Sequence, residues 1–209
     1  MRIIVIGAPG AGKGTQAKLL AKHFNVPHVS TGSLLREYIE KNTGTCDELK
    51  HVMNCGYLVD DDIVIGLIRG FVEDKAFIFD GFPRTVKQAE ILNEMLSAIS
   101  APLNKVIYVT IDDDIIIGRM AGRQSCSSCG AIYNTKHNPP AAERICDHCG
   151  GALFVREDDC EQVVRRRLRN YYTLTEPIID YYRKQGIVFE ISGLGCIDEI
   201  TNAVIAELS

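Results

Sequence analysis

The run Met1-Arg-Ile-Ile-Val-Ile-Gly7 is followed at once by Gly7-Ala-Pro-Gly-Ala-Gly-Lys-Gly-Thr15. That order predicts a buried strand over Arg2–Ile6, a glycine-rich loop, and a helix beginning near Lys13. A loop of this kind turns its backbone N–H groups toward a phosphate. Glycine lets the backbone approach closely and reach angles that other residues avoid. Lys13 is placed to meet outer phosphates, and the Thr15 hydroxyl to meet Mg²⁺. The general P-loop pattern has Ser or Thr directly after the lysine. Here Gly14 takes that place and Thr15 comes one residue later.

Downstream, short β-branched runs alternate with helical patterns. Strands are expected at His28–Ser30, Ala76–Phe79 (ending at Asp80), Lys105–Thr110 and Val188–Ile191. Helices are expected at Lys13–Phe24, Gly32–Lys41, Asp47–Met53, Asp61–Glu73, Val86–Ile99, Asp113–Ala121 and Cys196–Leu208. A long helical pattern over Cys160–Gln185 should be kinked or interrupted at Pro177. Strands alternating with helices imply an α/β fold with a parallel five-stranded sheet covered on both faces. In such sheets ligands bind beyond the carboxyl ends of the strands. Gly7, Thr31-Gly32 and Asp80-Gly81 should converge there.

Cys126-Ser-Ser-Cys129 and Cys146-Asp-His-Cys149 are two C-x-x-C pairs, each followed by glycine. Each pair can turn around one metal, and together they supply four thiolates. A closed shell of four thiolates leaves no open position for water, so the expected Zn²⁺ is structural. His148 is an alternative ligand, but a residue inside the knuckle ordinarily points away. Cys46, Cys55, Cys160 and Cys196 are scattered and read as ordinary small residues.

A chain of 209 residues suits one main domain with a smaller insertion. The formal net charge of -4 gives no electrostatic case for nucleic acid. The ribbon itself mixes Lys136 and Arg144 with Glu143 and Asp147, so it does not read as a nucleic-acid module. The first residues lack the features of a secretory leader, and no apolar stretch is long enough to cross a bilayer. A cytoplasmic chain with reduced cysteines is the expectation.

Asp80-Gly-Phe-Pro-Arg-Thr85 follows a predicted buried strand. Asp80 can hold Mg²⁺, directly or through water, beside Thr15. Arg84 offers a forked donor suited to phosphate. Read with Gly7–Thr15, Thr31-Gly-Ser-Leu-Leu-Arg36, Gly56-Tyr-Leu-Val59, Gln88, Gly118-Arg-Met-Ala-Gly-Arg123, the four cysteines, Arg156-Glu-Asp-Asp159 and Arg165-Arg-Arg-Leu168, the chain resembles the adenylate kinases in their long-lid, zinc-containing form. The resemblance covers nearly the whole chain.

The resemblance implies the reaction ATP + AMP ⇌ 2 ADP with Mg²⁺, in a monomer. Gly10, Ala11, Gly12, Lys13, Gly14 and Thr15 would hold the ATP phosphates. Arg119 would lie over the ATP adenine, with the backbone near Gly195 and Cys196 touching it. Thr31, Arg36, Gly81, Arg84 and Gln88 would bind AMP, and Tyr57, Leu58 and Val59 would line its base pocket. Lys13, Arg84, Arg123, Arg156 and Arg167 would surround the transferring phosphoryl group, the last two also facing AMP. The implied division is a core of 1–30, 60–123 and 160–209, a helical monophosphate-binding flank of 31–59, and a zinc-ribbon lid of 124–159.

Elementary geometry adds two readings. Arg119 and Arg123, four residues apart, should share one helical face. Arg165, Arg166, Arg167 and Arg169 cannot all aim at one point, so one or two of them should be solvated. The chain departs from the family pattern at Ser33 (usually Asp), at Asp60-Asp-Asp62 (usually Pro-Asp-Glu) and at Gln124 (commonly Arg). UMP/CMP kinase, GTP:AMP kinase and a non-catalytic nucleotide switch stay open as alternatives. Thr85, where the pyrimidine kinases usually have Asn, favours adenine.

Overall fold

The computed structural model describes residues 1–42, 46–73 and 76–209. Residues 43–45 of the expected flank and 74–75 of the expected core therefore lie outside the described residues. The element order is β1 (Arg2–Gly7), α1 (Lys13–Phe24), β2 (His28–Ser30), α2 (Thr31–Lys41), α3 (Asp47–Asn54), α4 (Asp61–Glu73), β3 (Phe77–Asp80), α5 (Val86–Ala98), β4 (Lys105–Thr110), α6 (Asp113–Ala121), β5 (Arg123–Cys126), β6 (Ile132–Asn134), β7 (Leu153–Phe154), α7 (Glu161–Asn170), α8 (Pro177–Arg183), β8 (Val188–Ser192) and α9 (Ile197–Leu208).

Five strands form one parallel sheet in the order β2-β3-β1-β4-β8. β1 sits at its centre, which is why its sequence is apolar without alternation. Ile3 and Val5 face one core with Ala17, Leu20 and Ala21 of α1 and Val204 of α9. Ile4 and Ile6 face the other, with Ile68, Phe79, Leu92 and Tyr182. Both faces of the sheet are thus covered, and its carboxyl edge is left for a ligand. Among the described residues, no helix is long and apolar enough to cross a membrane.

A second sheet, β6-β5-β7, is antiparallel and belongs to the cysteine-rich insertion. It begins at Arg123, which pairs with Asn134. α6 has already ended at Ala121, with Gly122 as its C-cap. The expectation that Arg119 and Arg123 share a helical face is therefore corrected: Arg119 is on the helix and Arg123 opens β5 of the antiparallel sheet.

The pattern over Cys160–Gln185 is also broken differently from the simple expectation. α7 stops at Asn170, a π-helical turn covers Tyr171–Thr175, and α8 starts at Pro177. Proline lacks an N–H, and its ring collides with the carbonyl four residues back. The chain widens ahead of it instead: the Glu176 N–H bonds the Tyr171 carbonyl at 2.8 Å, five residues back.

Candidate active site

α1 starts from Gly12, whose φ of 96° requires glycine, and no side chain caps its N-terminus. That leaves the start of the helix open to an anion. Gly14 is explained by its neighbour: a Cβ there would stand 2.9 Å from the Asp80 carboxylate. Strand β3 brings Asp80 this close to the loop, so the hydroxyl residue moves on to Thr15. Lys13 donates from Nζ to the Ala8 carbonyl at 2.6 Å. Burial, only partly offset by Asp80 and reinforced by Arg84, Arg167 and Arg123, pushes its ammonium down to about 7. For Asp80 burial acts upward, yet His28, Lys13 and Arg84 together hold the carboxyl below its ordinary value.

The carboxyl edge of the sheet opens into a cavity of about 800 Å³. Gly10, Ala11, Gly12, Lys13, Gly14, Thr15, Arg119 and Cys196 line one part. Thr31, Arg36, Tyr57, Leu58, Val59, Gly81 and Gln88 line another, and Asp80, Arg84, Arg123, Arg156 and Arg167 lie between. Every residue singled out in the sequence for nucleotide or magnesium binding therefore faces one space.

The arginines have partners within the chain. Arg84 donates from Nε to the Gly81 carbonyl at 2.8 Å. Arg123 grips Asp159 with two guanidinium nitrogens, Nε at 2.7 Å. Arg167 pairs with Asp158 at 2.9 Å, Arg156 donates to the Ser125 hydroxyl at 2.7 Å, and Arg119 donates to the Gly193 carbonyl at 3.0 Å. Burial lowers the pKa of Arg36, Arg84, Arg156 and Arg167, with Arg156 and Arg167 near 10. Arg123 contributes repulsion to Arg36, Arg156 and Arg167. Crowded cations under such strain are relieved by a multiply charged anion.

The neighbouring arginines split as expected. Arg165 pairs with Glu161 in an exposed ion pair. Arg166 turns the other way, donating to the Cys55 carbonyl at 2.8 Å and lying over the Tyr57 ring at 4.8 Å. Only Arg167 of the three consecutive arginines enters the cavity. Sequence reading assigned no role to Asp158, Asp159 or His28. The first two were visible only as acidic neighbours of Arg156, and His28 as one residue of a short strand.

The four cysteines Cys126, Cys129, Cys146 and Cys149 bring their sulfurs within 4.8 Å of one another, with Cys126–Cys149 at 3.5 Å and Cys129–Cys146 at 3.6 Å. Tetrahedral Zn–S bonds of ~2.3 Å imply sulfur separations of about 3.8 Å, so the donor set fits zinc. Thr15 and Asp80 fit magnesium through their donor chemistry: a hydroxyl and a carboxylate, both lining the cavity beside the loop, are oxygen donors of the kind that hold a cation keeping several waters.

Comparison with known proteins agrees with this geometry. The family model described as adenylate kinase matches residues 5–187. The adenylate kinase of Thermodesulfovibrio yellowstonii is 46% identical over 212 residues, spanning 100% of this chain and 99% of that protein. That of Streptomyces avermitilis is 46% identical over 206 residues, spanning 96% and 94%. That of Caldicellulosiruptor bescii is 42% identical over 212 residues, spanning 100% and 99%. A match of this length, on a chain whose P-loop and arginines line one cavity and whose paired cysteines cluster together, means that the chain belongs to the adenylate kinase family.

Proposed function

We propose that the chain transfers a phosphoryl group between adenine nucleotides, ATP + AMP ⇌ 2 ADP, in the cavity at the carboxyl edge of the sheet. ATP lies on the loop of Gly10–Thr15, with its adenine between Arg119 and the Gly195-Cys196 backbone. AMP lies against Thr31, Arg36, Gly81, Arg84 and Gln88, with its base against Tyr57, Leu58 and Val59. The observation that carries this reading is the convergence of Arg36, Arg84, Arg123, Arg156 and Arg167 around Lys13 within one cavity.

An oxygen of the AMP phosphate attacks the γ-phosphorus of ATP, and the bond to the β-phosphate oxygen breaks with ADP as leaving group. A phosphate oxygen at neutral pH needs no general base. The chain's task is to align the two nucleotides and to neutralise charge spreading over the transferred oxygens. Lys13, Arg123, Arg156 and Arg167 supply that charge, and Arg84 and Arg36 anchor the acceptor phosphate. Magnesium, held by Thr15 and Asp80, would supply further charge neutralisation on the donor phosphates. The lid, proposed as residues 124–159 on a structural zinc, and the flank, 31–59, cover the two nucleotides against the core of 1–30, 60–123 and 160–209. Covering keeps water from taking the phosphoryl group. The family relationship supports a cytoplasmic monomer, and light scattering reads the latter.

A coupled assay over nucleotide pairs tests the proposal. ATP with AMP should give ADP, with UMP, CMP and GTP pairs at least tenfold less efficient. Lys13→Met should abolish turnover in a folded chain. Preferred turnover of UMP or CMP favours the pyrimidine reading, and binding without ADP formation favours a nucleotide switch. In the structure the Thr85 hydroxyl accepts from the Gln88 N–H at 3.1 Å as the N-cap of α5, a role that Asn fills equally well, so the assay and not the cap separates adenine from pyrimidine.

A further inference from the structure

Gln88 is buried in the acceptor part of the cavity, at 2% exposure. Its side-chain amide is held at both ends. Oε1 accepts from the Arg84 backbone N–H at 2.7 Å. Nε2 donates to Asp61 Oδ1 at 2.6 Å. The two partners differ in kind: a backbone N–H can only donate, and an ionised carboxylate can only accept. A turned-over amide would set N–H against N–H at one end and oxygen against oxygen at the other. The arrangement allows one amide polarity. It leaves one N–H and one lone pair of Gln88 uncommitted.

That uncommitted pair matters because purines differ in the same respect. The edge of adenine offers a donor at N6 and an acceptor at N1. The edge of hypoxanthine offers an acceptor at O6 and a donor at N1. A freely turning glutamine could serve either edge. We propose that Asp61, through its hydrogen bond to Gln88, is a specificity-determining positioning residue that makes the acceptor site select adenine over 6-oxopurine monophosphates. The inference rests on the reading of Gln88 as part of the acceptor base site.

The sequence places Asp61 well for this work and not for contact with the nucleotide. It stands in the first turn of α4, 27 residues before Gln88, and its other oxygen lies 3.9 Å from Lys87 Nζ. Lys87 is 69% exposed on its side chain, so the pair adds little. The Asp61–Gln88 bond is charge-assisted and shielded, the class of hydrogen bond whose loss is felt most. A 6-oxopurine meeting the locked amide leaves buried polar groups unpaired, and such mismatches are rejected strongly.

The test compares kcat/KM for AMP and for IMP, with ATP as donor, in the parent chain, Asp61→Ala, Asp61→Asn and Lys87→Ala. The ratio of AMP to IMP efficiency should fall about tenfold in Asp61→Ala, chiefly through KM, with kcat for AMP within about threefold of the parent. Asp61→Asn, whose amide can present either its oxygen or its N–H₂ to Gln88, should fall between the two. Lys87→Ala should leave the ratio unchanged. An unaltered ratio in a folded Asp61 variant overturns the proposal and reduces Asp61 to a helix-terminal residue. Should the parent chain bind AMP but not turn it over, the kinase reading fails on its own. The AMP:IMP ratio of dissociation constants, read by calorimetry in the same variants, then decides the role of Asp61.

Discussion

Lys13 shows how one side chain carries a conflict that only a ligand resolves. Enclosure under the loop and the nearby Arg84, Arg167 and Arg123 push its pKa from 10.5 to about 7. In the unfolded chain the same lysine keeps its proton up to about pH 10.4. Between roughly pH 7 and 10.4 the unfolded state therefore holds more protons, and the contribution of this group to stability rises as pH rises through that window. A bound polyphosphate reverses the balance by restoring the cation. Binding of an ATP–AMP bisubstrate analogue at pH 8.5, without added magnesium, should take up close to one proton. Calorimetry in two buffers of different ionisation enthalpy measures the uptake, and Lys13→Met should remove it. Zero uptake in the parent chain would mean that Lys13 is already charged when the site is empty.

At the scale of elements, the π-helical turn before Pro177 joins the helical layer to the acceptor loop. It carries Thr175, whose hydroxyl donates to the Arg84 carbonyl at 2.9 Å. The near-isosteric change Thr175→Val should leave that carbonyl unpaired, at about 1–3 kcal/mol. A drop in Tm of several degrees follows for a chain of this size, and AMP affinity should weaken more than ATP affinity. Equal weakening of both would detach the turn from the acceptor loop. Most elements were legible in the sequence, because β-branched runs such as Lys105–Thr110 and amphipathic stretches such as Asp61–Glu73 coincide with the observed β4 and α4. What was not legible depended on distance or on backbone adjustment. Pro177 marked a break, yet its consequence begins six residues earlier, where the backbone absorbs the ring. Gly122 ended α6 just before Arg123, so helical spacing said nothing about that arginine. The loop, the arginines and the cysteine pairs could be read locally. Asp159 beneath Arg123 and Asp61 behind Gln88 could not, since 36 and 27 residues separate the partners and no local pattern links them.

Across the whole molecule, the proposed lid holds little apolar core of its own and is tied to the rest by polar contacts, among them the Arg167–Asp158 pair at 2.9 Å and the Arg123–Asp159 pair. Lys18 of α1 donates to the Gly130 carbonyl at 2.7 Å, beside the first cysteine knuckle. Asn54 at the end of α3 donates to Glu157 at 2.5 Å, in the 3-10 turn Glu157–Asp159 that follows the last strand of the insertion. The buried apolar cluster of the lid consists of Cys126, Ala131, Tyr133, Cys146 and Leu153, of which two are proposed metal ligands. So small a cluster leaves the segment to be folded by the proposed zinc. The parallel sheet has its own two large cores and does not depend on the metal. Removing zinc with a chelator, or breaking the shell with Cys146→Ser, should therefore unfold the lid and spare the sheet. Calorimetric melting should separate into a lid transition lost with the metal and a core transition that stays. AMP binding should weaken far less than turnover falls, because Thr31, Arg84 and Gln88 are anchored by Gly81 and Asp61 outside the lid and only Arg156 of the AMP-facing residues goes with it. Turnover should fall at least a hundredfold, because Arg123 and Arg156 are positioned by β5 through Asn134 and Ser125. A zinc-free chain that melts in one unchanged transition and keeps full turnover would show that the four cysteines do not hold the lid together.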